Sequence, residues 1–245
     1  MAIVAETVPG PAHPDNDCLL CARLADFRCA NRKRHPDFFN APVPSFGSPS
    51  ARLLVIGLAP GLKGANCTGR PFTGDYAGDL LYRTLAEFGF TQGRYDRRPD
   101  DGLELIDCRV TNAVRCVPPE NKPIGAEVRN CAPFLRAEMG SMPNLAVLLS
   151  LGTLSHGAVL GALGLKKSAY RFAHGAMHVL KDGLVLADSY HCSRYNTNTG
   201  RLTGDMFRQV IAALRDHLDA GPMSSPKPGA SSSWGDLGSR PINSD

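Results

Sequence analysis

The feature that most constrains this chain is an alternation of short, continuous apolar runs with segments of helical periodicity. Leu53 to Leu58, Leu105 to Val110, Leu145 to Leu151 and Leu184 to Ala187 read as buried strands. Helical patterns follow at 79–88, 126–139, 154–163 and 205–218. Gly125 and Gly204 suit helix starts, and Asp205 in a first turn suits the helix dipole. Such alternation predicts an α/β fold whose parallel sheet is covered on both faces. A chain of 245 residues is long enough to bury that core.

Residues 1–14 are Pro- and Ala-rich without periodicity and read as a flexible leader, leaving 15–220 as the folded domain. Residues 221–245 are low-complexity and read as a disordered tail, with Trp234 an incidental member of it. No apolar run is long enough for a membrane span and no secretory signal is evident, so the expected compartment is the cytoplasm. There the eight cysteines suit metal ligation, catalysis or burial better than disulfides. The formal net charge of +4 is too small to name a partner. Two clusters, Arg23, Arg28, Arg32, Lys33 and Arg34, then Arg94, Arg97 and Arg98, are either solvated faces or phosphate contacts.

Polar, glycine-bearing segments follow three of the strands: 57–61, 111–116 and 189–193. Ligands of open parallel sheets bind outside the carboxyl ends of the strands, so the three segments should face one crevice. The run 57–78, GLAPGLKGANCTGRPFTGDYAG, lets backbone approach a ligand closely but matches neither a Walker loop nor a dinucleotide fingerprint. It also carries Phe72 and Asp75, an aromatic face and one carboxylate, as a flipped base and an oriented water would require. Asp75 would equally serve as a helix N-cap. His191 opens a polar loop with two arginines and a tyrosine, suited to filling the gap left by an extruded base and to touching phosphates. Cys18 and Cys21 form a C-x2-C pair, while Cys116 and Cys131 lie far apart. Their spacing allows zinc or an iron–sulfur cluster. Cys108 reads as core.

These segments resemble the motifs of the uracil-DNA glycosylase superfamily, and within it the iron–sulfur family 5, type B. The matching pieces are GLAPG from Gly57, NCTGRPFTGD from Asn66, AVRCVPPENKP from Ala113 and SYHCSRYNTNTGRLT from Ser189. The resemblance runs from about Cys18 to about Leu218. It implies a three-layer α/β/α sandwich with a central four-stranded parallel sheet, and a [4Fe–4S] cluster on Cys18, Cys21, Cys116 and Cys131. It implies that Phe72 stacks on the flipped base beside Gly57 and Ala59, and that His191 hydrogen-bonds its O2 carbonyl as charge develops. Asn121 would lie near sugar and water, Asn112 would read the base edge, and Arg194, Tyr195, Asn196 and Arg201 would meet the DNA.

Most branches of the superfamily carry Asp, Asn or Glu beside the first glycine of GLAPG, where this chain has Leu58 and Ala59. Asp75 is then the carboxylate left to orient water, a contribution of about 3–4 kcal/mol to the barrier. The implied activity is monofunctional hydrolysis of uracil and other deaminated bases from single- or double-stranded DNA by a monomer. Lys63 and Lys122 suit phosphate contacts rather than a Schiff base. The rivals are the narrow-specificity family 4, against which Leu58 counts, a non-catalytic iron–sulfur DNA-binding protein, and a cytosolic zinc protein acting on nucleotides.

Overall fold

The computed structural model describes residues 11–221. Residues 1–10 of the expected leader, and 222–245 of the expected tail with Trp234, lie outside the described residues. The packed chain begins before residue 15, because Pro14 is buried.

In chain order the elements are α1 (Ala22–Arg34), β1 (Leu53–Gly57), α2 (Ala65–Thr68), α3 (Tyr76–Glu87), β2 (Thr91–Gln92), β3 (Glu104–Leu105), β4 (Cys108–Asn112), α4 (Gly125–Gly140), β5 (Val147–Leu151), α5 (Thr153–Ala162), β6 (Met177–Val179), β7 (Val185–Ser189), α6 (Arg194–Asn198) and α7 (Gly204–Asp219). The main sheet has the order β4-β1-β5-β7-β6. Its first four strands are parallel, as expected. A fifth strand, β6, pairs antiparallel with β7 and was not expected.

Side chains alternate across the strands into two apolar layers. Leu53, Val55, Leu149 and Ala187 pack with Leu81 and Leu85 of α3 and Ile211 and Leu214 of α7. Leu54, Ile56, Leu148 and Leu186 pack with Leu135 of α4 and Val159 and Leu160 of α5. The result is the expected α/β/α sandwich. Cys108 is fully buried in the first layer.

The run expected as one strand from Leu105 to Val110 is two. Glu104–Leu105 pairs antiparallel with β2, the backbone turns at Asp107 with φ of +52°, and β4 starts at Cys108. Asp107 holds that turn by accepting from the backbone N–H and the Nε–H of Arg52, each at 2.8 Å. On the α5 side of the sheet, Asp188 Oδ1 receives Ser150 Oγ and His156 Nδ1, both at 2.7 Å, so the one buried carboxylate on β7 is tied to β5 and α5.

The chain leaves β1 to form β4 on one side and returns to form β5 on the other. The strand order therefore reverses at β1, and the carboxyl ends of β4, β1 and β5 open around its end. Among the described residues no helix is long and apolar enough to cross a membrane.

Candidate active site

A cavity of about 560 Å³ opens at that reversal, and the loops after all four parallel strands line it. Gly57 and Asn112 are register partners at the ends of β1 and β4. The ring of Phe72 lies against them: a Cβ on Gly57 would stand 2.4 Å from Asn112 Oδ1 and 2.5 Å from Phe72 Cζ. Only glycine lets the ring and the amide approach the strand end this closely. Phe72 itself has φ of +53°, a costly conformation for a bulky residue that persists only where the surroundings enforce it.

The enforcement is visible. Tyr95 Oη donates to the Phe72 carbonyl at 3.1 Å, and Tyr82 Oη donates to that of Pro71 at 2.6 Å. Arg70 grips Asp101 through two hydrogen bonds of 2.8 and 2.7 Å, donates to Thr73 Oγ1, and lies 5.0 Å from the ring centroid of Phe46. Burial alone would raise the Asp101 carboxyl, but the Arg70 guanidinium holds it well below the usual carboxylate range. Arg70 therefore supports the loop rather than reaching the cavity.

Asp75 is both the N-cap and a cavity residue. Its Oδ1 accepts from the N–H groups of Ala77 at 3.1 Å and Gly78 at 3.4 Å, capping α3. Its Oδ2 faces the GLAPG loop, where a Cβ on Gly64 would stand 2.4 Å away and one on Gly61 3.3 Å away. Burial pushes the Asp75 carboxyl above its ordinary range, and the Gly78 and Ala77 N–H groups restrain the rise. The glycine-rich segment thus clears space for one ring and one carboxylate; it is not a phosphate cradle.

Across the cavity, the His191 ring centroid lies 6.0 Å from that of Phe72. Burial lowers the His191 pKa, so the imidazole is neutral near pH 7 and can offer an N–H without a full charge. Asn196 Nδ2 donates to the His191 carbonyl at 2.8 Å, fastening α6 to the strand end. Asn121, with φ of +56°, bridges two loops by accepting from the Leu62 N–H at 3.3 Å. Arg194 sits 5.2 Å from the Tyr76 ring centroid and Arg201 4.7 Å from that of Tyr190.

The four cysteines also converge. Cys18, Cys21, Cys116 and Cys131 line one small cavity with Pro14, Leu24 and Phe134. Burial pushes the Cys116 thiol up to about 12 and raises those of Cys131 and Cys21, so a cation is needed to hold them as thiolates. Arg28, only 3% exposed, donates to Cys116 Sγ at 3.8 Å and to the Cys18 carbonyl at 2.9 Å, and its buried Nε has no partner. A buried cation with an unspent donor beside four sulfurs suits a negatively charged metal–thiolate centre. All eight cysteines are free.

The uracil DNA glycosylase superfamily model matches residues 44–215. A type-5 uracil-DNA glycosylase of Thermus thermophilus is 46% identical over 199 residues, spanning 79% of this chain and 90% of the relative. One of Pyrobaculum aerophilum is 38% identical over 209 residues, spanning 84% and 90%. A type-4 uracil-DNA glycosylase of Sulfurisphaera tokodaii is 29% identical over 175 residues, spanning 69% and 72%. This chain belongs to the uracil-DNA glycosylase superfamily.

Within this superfamily member, Phe72, Asp75, Ala59, Asn112, Asn121, His191, Arg194, Asn196 and Arg201 all line one cavity, and Gly57 lies beneath Phe72. Tyr195 does not line it and is 71% exposed. The sequence missed the loop after β5, where Leu151, Gly152, Thr153 and Leu154 form a fourth wall. A glycine between an apolar run and a helix was its signal, and Gly152 has φ of +99°. Tyr190 and Tyr76 were missed as well.

The basic clusters offer few free cations. Arg23 holds Glu127 at 2.8 Å, Arg28 is buried, and Arg32 holds Asp17 at 2.6 Å. Arg97 is paired with Asp79, and Arg98 lies 3.7 Å from Asp100. Arg23, Arg32, Arg97 and Arg98 are thus ion-paired and Arg28 is buried, while Lys33, Arg34 and Arg94 are exposed and in no salt bridge among the described residues.

The close approach at Gly57 predicts a ranking. Gly57→Ala should cost about 1–3 kcal/mol, the usual penalty of overpacking, and Gly61→Ala much less. Thermal melts of the two variants measure it; equal melting temperatures would contradict the contact.

Proposed function

We propose that this chain is a type-5, monofunctional uracil-DNA glycosylase that removes uracil and other deaminated bases from single- or double-stranded DNA. What carries the reading is the meeting of Phe72, Asp75 and His191 in one cavity, from the segments that follow β1 and β7, in a chain so similar to named type-5 enzymes.

In this reading the target nucleotide swings into the cavity and its base stacks on Phe72, with Gly57 and Ala59 beneath and Asn112 at its edge. Asp75 Oδ2 and Asn121 hold a water below the sugar. The water oxygen bonds to C1′ as the bond from C1′ to the base nitrogen breaks, and the electron pair leaves with the base. Asp75 accepts the water proton, and the neutral His191 donates a hydrogen bond to O2 of the departing anion. The products are a free base and an abasic site. Each electrostatic contact of this kind is worth about 10²–10³ in rate. Lys63 and Lys122 form no Schiff base, so the strand stays intact. Arg194, Tyr195, Asn196 and Arg201 meet the surrounding DNA. A cavity with an apolar platform and few polar groups clamping the base supports tolerance beyond uracil.

Cys18, Cys21, Cys116 and Cys131 would hold a [4Fe–4S] cluster, with Arg28 offsetting its negative charge. When bound, such a cluster ties the segment before α1 to α4 and to the strand-end loop at Cys116. The buried Arg28, whose Nε has no partner among the described residues, supports a negatively charged centre there. The enzyme works in the cytoplasm as a monomer, a setting that suits eight free cysteines.

Duplexes carrying uracil, hypoxanthine or xanthine, incubated with the protein and then treated with alkali, should show abasic cleavage, and none before alkali. No abasic product on any of them overturns the enzyme. Asp75→Asn retains a capping oxygen and should keep the fold while base release falls about 10²–10³-fold. His191→Ala should fall similarly. Full activity in either variant removes that residue from the mechanism.

The purified protein should be brown with visible absorption and contain iron, and Cys116→Ser should lose both colour and thermal stability. A colourless, zinc-loaded protein would contradict the cluster.

A further inference from the structure

A second and larger hollow, about 1100 Å³, runs along the seam between α4 and α5. It joins the active-site cavity directly: Leu58, Thr153 and Leu154 line both. Its walls carry Arg129 and Arg136 from α4, with Lys167 and Arg171 from the segment after α5, and no carboxylate. All four cations are exposed, and among the described residues none of them is in a salt bridge. Half of the cations in the two basic clusters that the sequence displays most openly, by contrast, are ion-paired. Tyr170 and Phe172 complete the lining.

The floor is kept low at a cost to the helix. α5 has ten residues and carries Gly157 and Gly161 on the groove, where glycine weakens a helix by roughly 0.5–1 kcal/mol each relative to Ala. A Cβ on Gly157 would stand 3.0 Å from Lys167 Nζ, so the ammonium lies over the groove floor. On α4, Arg129 and Arg136 are two turns apart on one face. The helical rise separates them by about 10 Å.

We infer that this groove binds the phosphate backbone of the DNA strand carrying the target base, where that strand leaves the active-site cavity. The occupant follows from continuity and charge: the strand whose flipped nucleotide fills the first cavity can leave past the shared wall at Leu154, and Arg129, Arg136, Lys167 and Arg171 line the adjoining channel with no carboxylate among them. Aromatic side chains beside the cations are what an unstacked flanking base requires. The inference rests on the glycosylase reading, which supplies the DNA.

The test is a protein with Arg129→Gln, Arg136→Gln, Lys167→Gln and Arg171→Gln together. Its binding to a 30-base-pair duplex with one uracil analogue that resists cleavage is followed by fluorescence anisotropy at several salt concentrations. Loss of two to four phosphate contacts should flatten the slope of log binding constant against log salt by about 2–3.5. Base release from a uracil-containing trinucleotide, too short to fill the groove, should match the wild type and also reports that the variant is folded. Arg97→Gln, which removes a paired arginine outside the groove, should leave the slope unchanged. An unchanged slope in the quadruple variant with normal trinucleotide turnover overturns the groove, as does an equal loss on both substrates. A wild-type protein that releases no base, yet shows the slope change, would instead overturn the glycosylase reading.

Discussion

The active-site cavity is organised around one buried carboxylate. Asp75 spends one oxygen on the N–H groups of Ala77 and Gly78, which fixes the start of α3 and with it the carboxylate's own position. The other oxygen is thereby held close to Gly61 and against Gly64, where a side chain on Gly64 would collide with it. In the proposed mechanism, capping and chemistry are two uses of the same group. Burial raises its proton affinity while the two N–H groups restrain the rise, which leaves an oxygen more basic than a surface aspartate, as taking a proton from water requires. The same mechanism fits the charge-free GLAPG loop: with Asp75 orienting the water, no acidic residue is required at Leu58 or Ala59.

The aromatic platform is held by a different strategy. Phe72 is kept in a left-handed backbone conformation by Tyr95 and by a loop that Arg70 and Asp101 lock from behind. Strain of this kind costs about 1–3 kcal/mol and is commonly found where a side chain must be presented rather than packed. The neutral His191 stands opposite, carried by β7 and fastened by Asn196. The segment after β1 therefore supplies the ring and the carboxylate and the segment after β7 the imidazole, and the four parallel strands, ending at one edge, bring them together.

Much of this was legible in the sequence, for identifiable reasons. Strands buried on both faces give continuous apolar runs, so the four parallel strands and helices α3, α4, α5 and α7 could be placed. The edge strand β6 escaped because Met177 and Val179 are exposed and the run is three residues long. α1 escaped because its inner face is not an apolar stripe: it buries Arg28 and Asn31 beside Leu24 and Ala25. The break at Asp107 depends on a side chain reaching Arg52, 55 residues away, which no local pattern records. The glycines of 57–78 were legible as a close approach, but not that the approaching groups are Phe72 and Asp75 of the same segment. The basic groove was invisible because its cations come singly from two distant stretches of chain.

The central claim is that the Asp75 carboxylate receives the proton of the attacking water. The most direct test is the single-turnover rate of uracil release as a function of pH. The account predicts that the rate falls as pH drops through the raised Asp75 pKa, with the acid limb above the ordinary aspartate value of about 4, and that Asp75→Asn is slow and shows no such limb. An acid limb that survives unchanged in Asp75→Asn would contradict it.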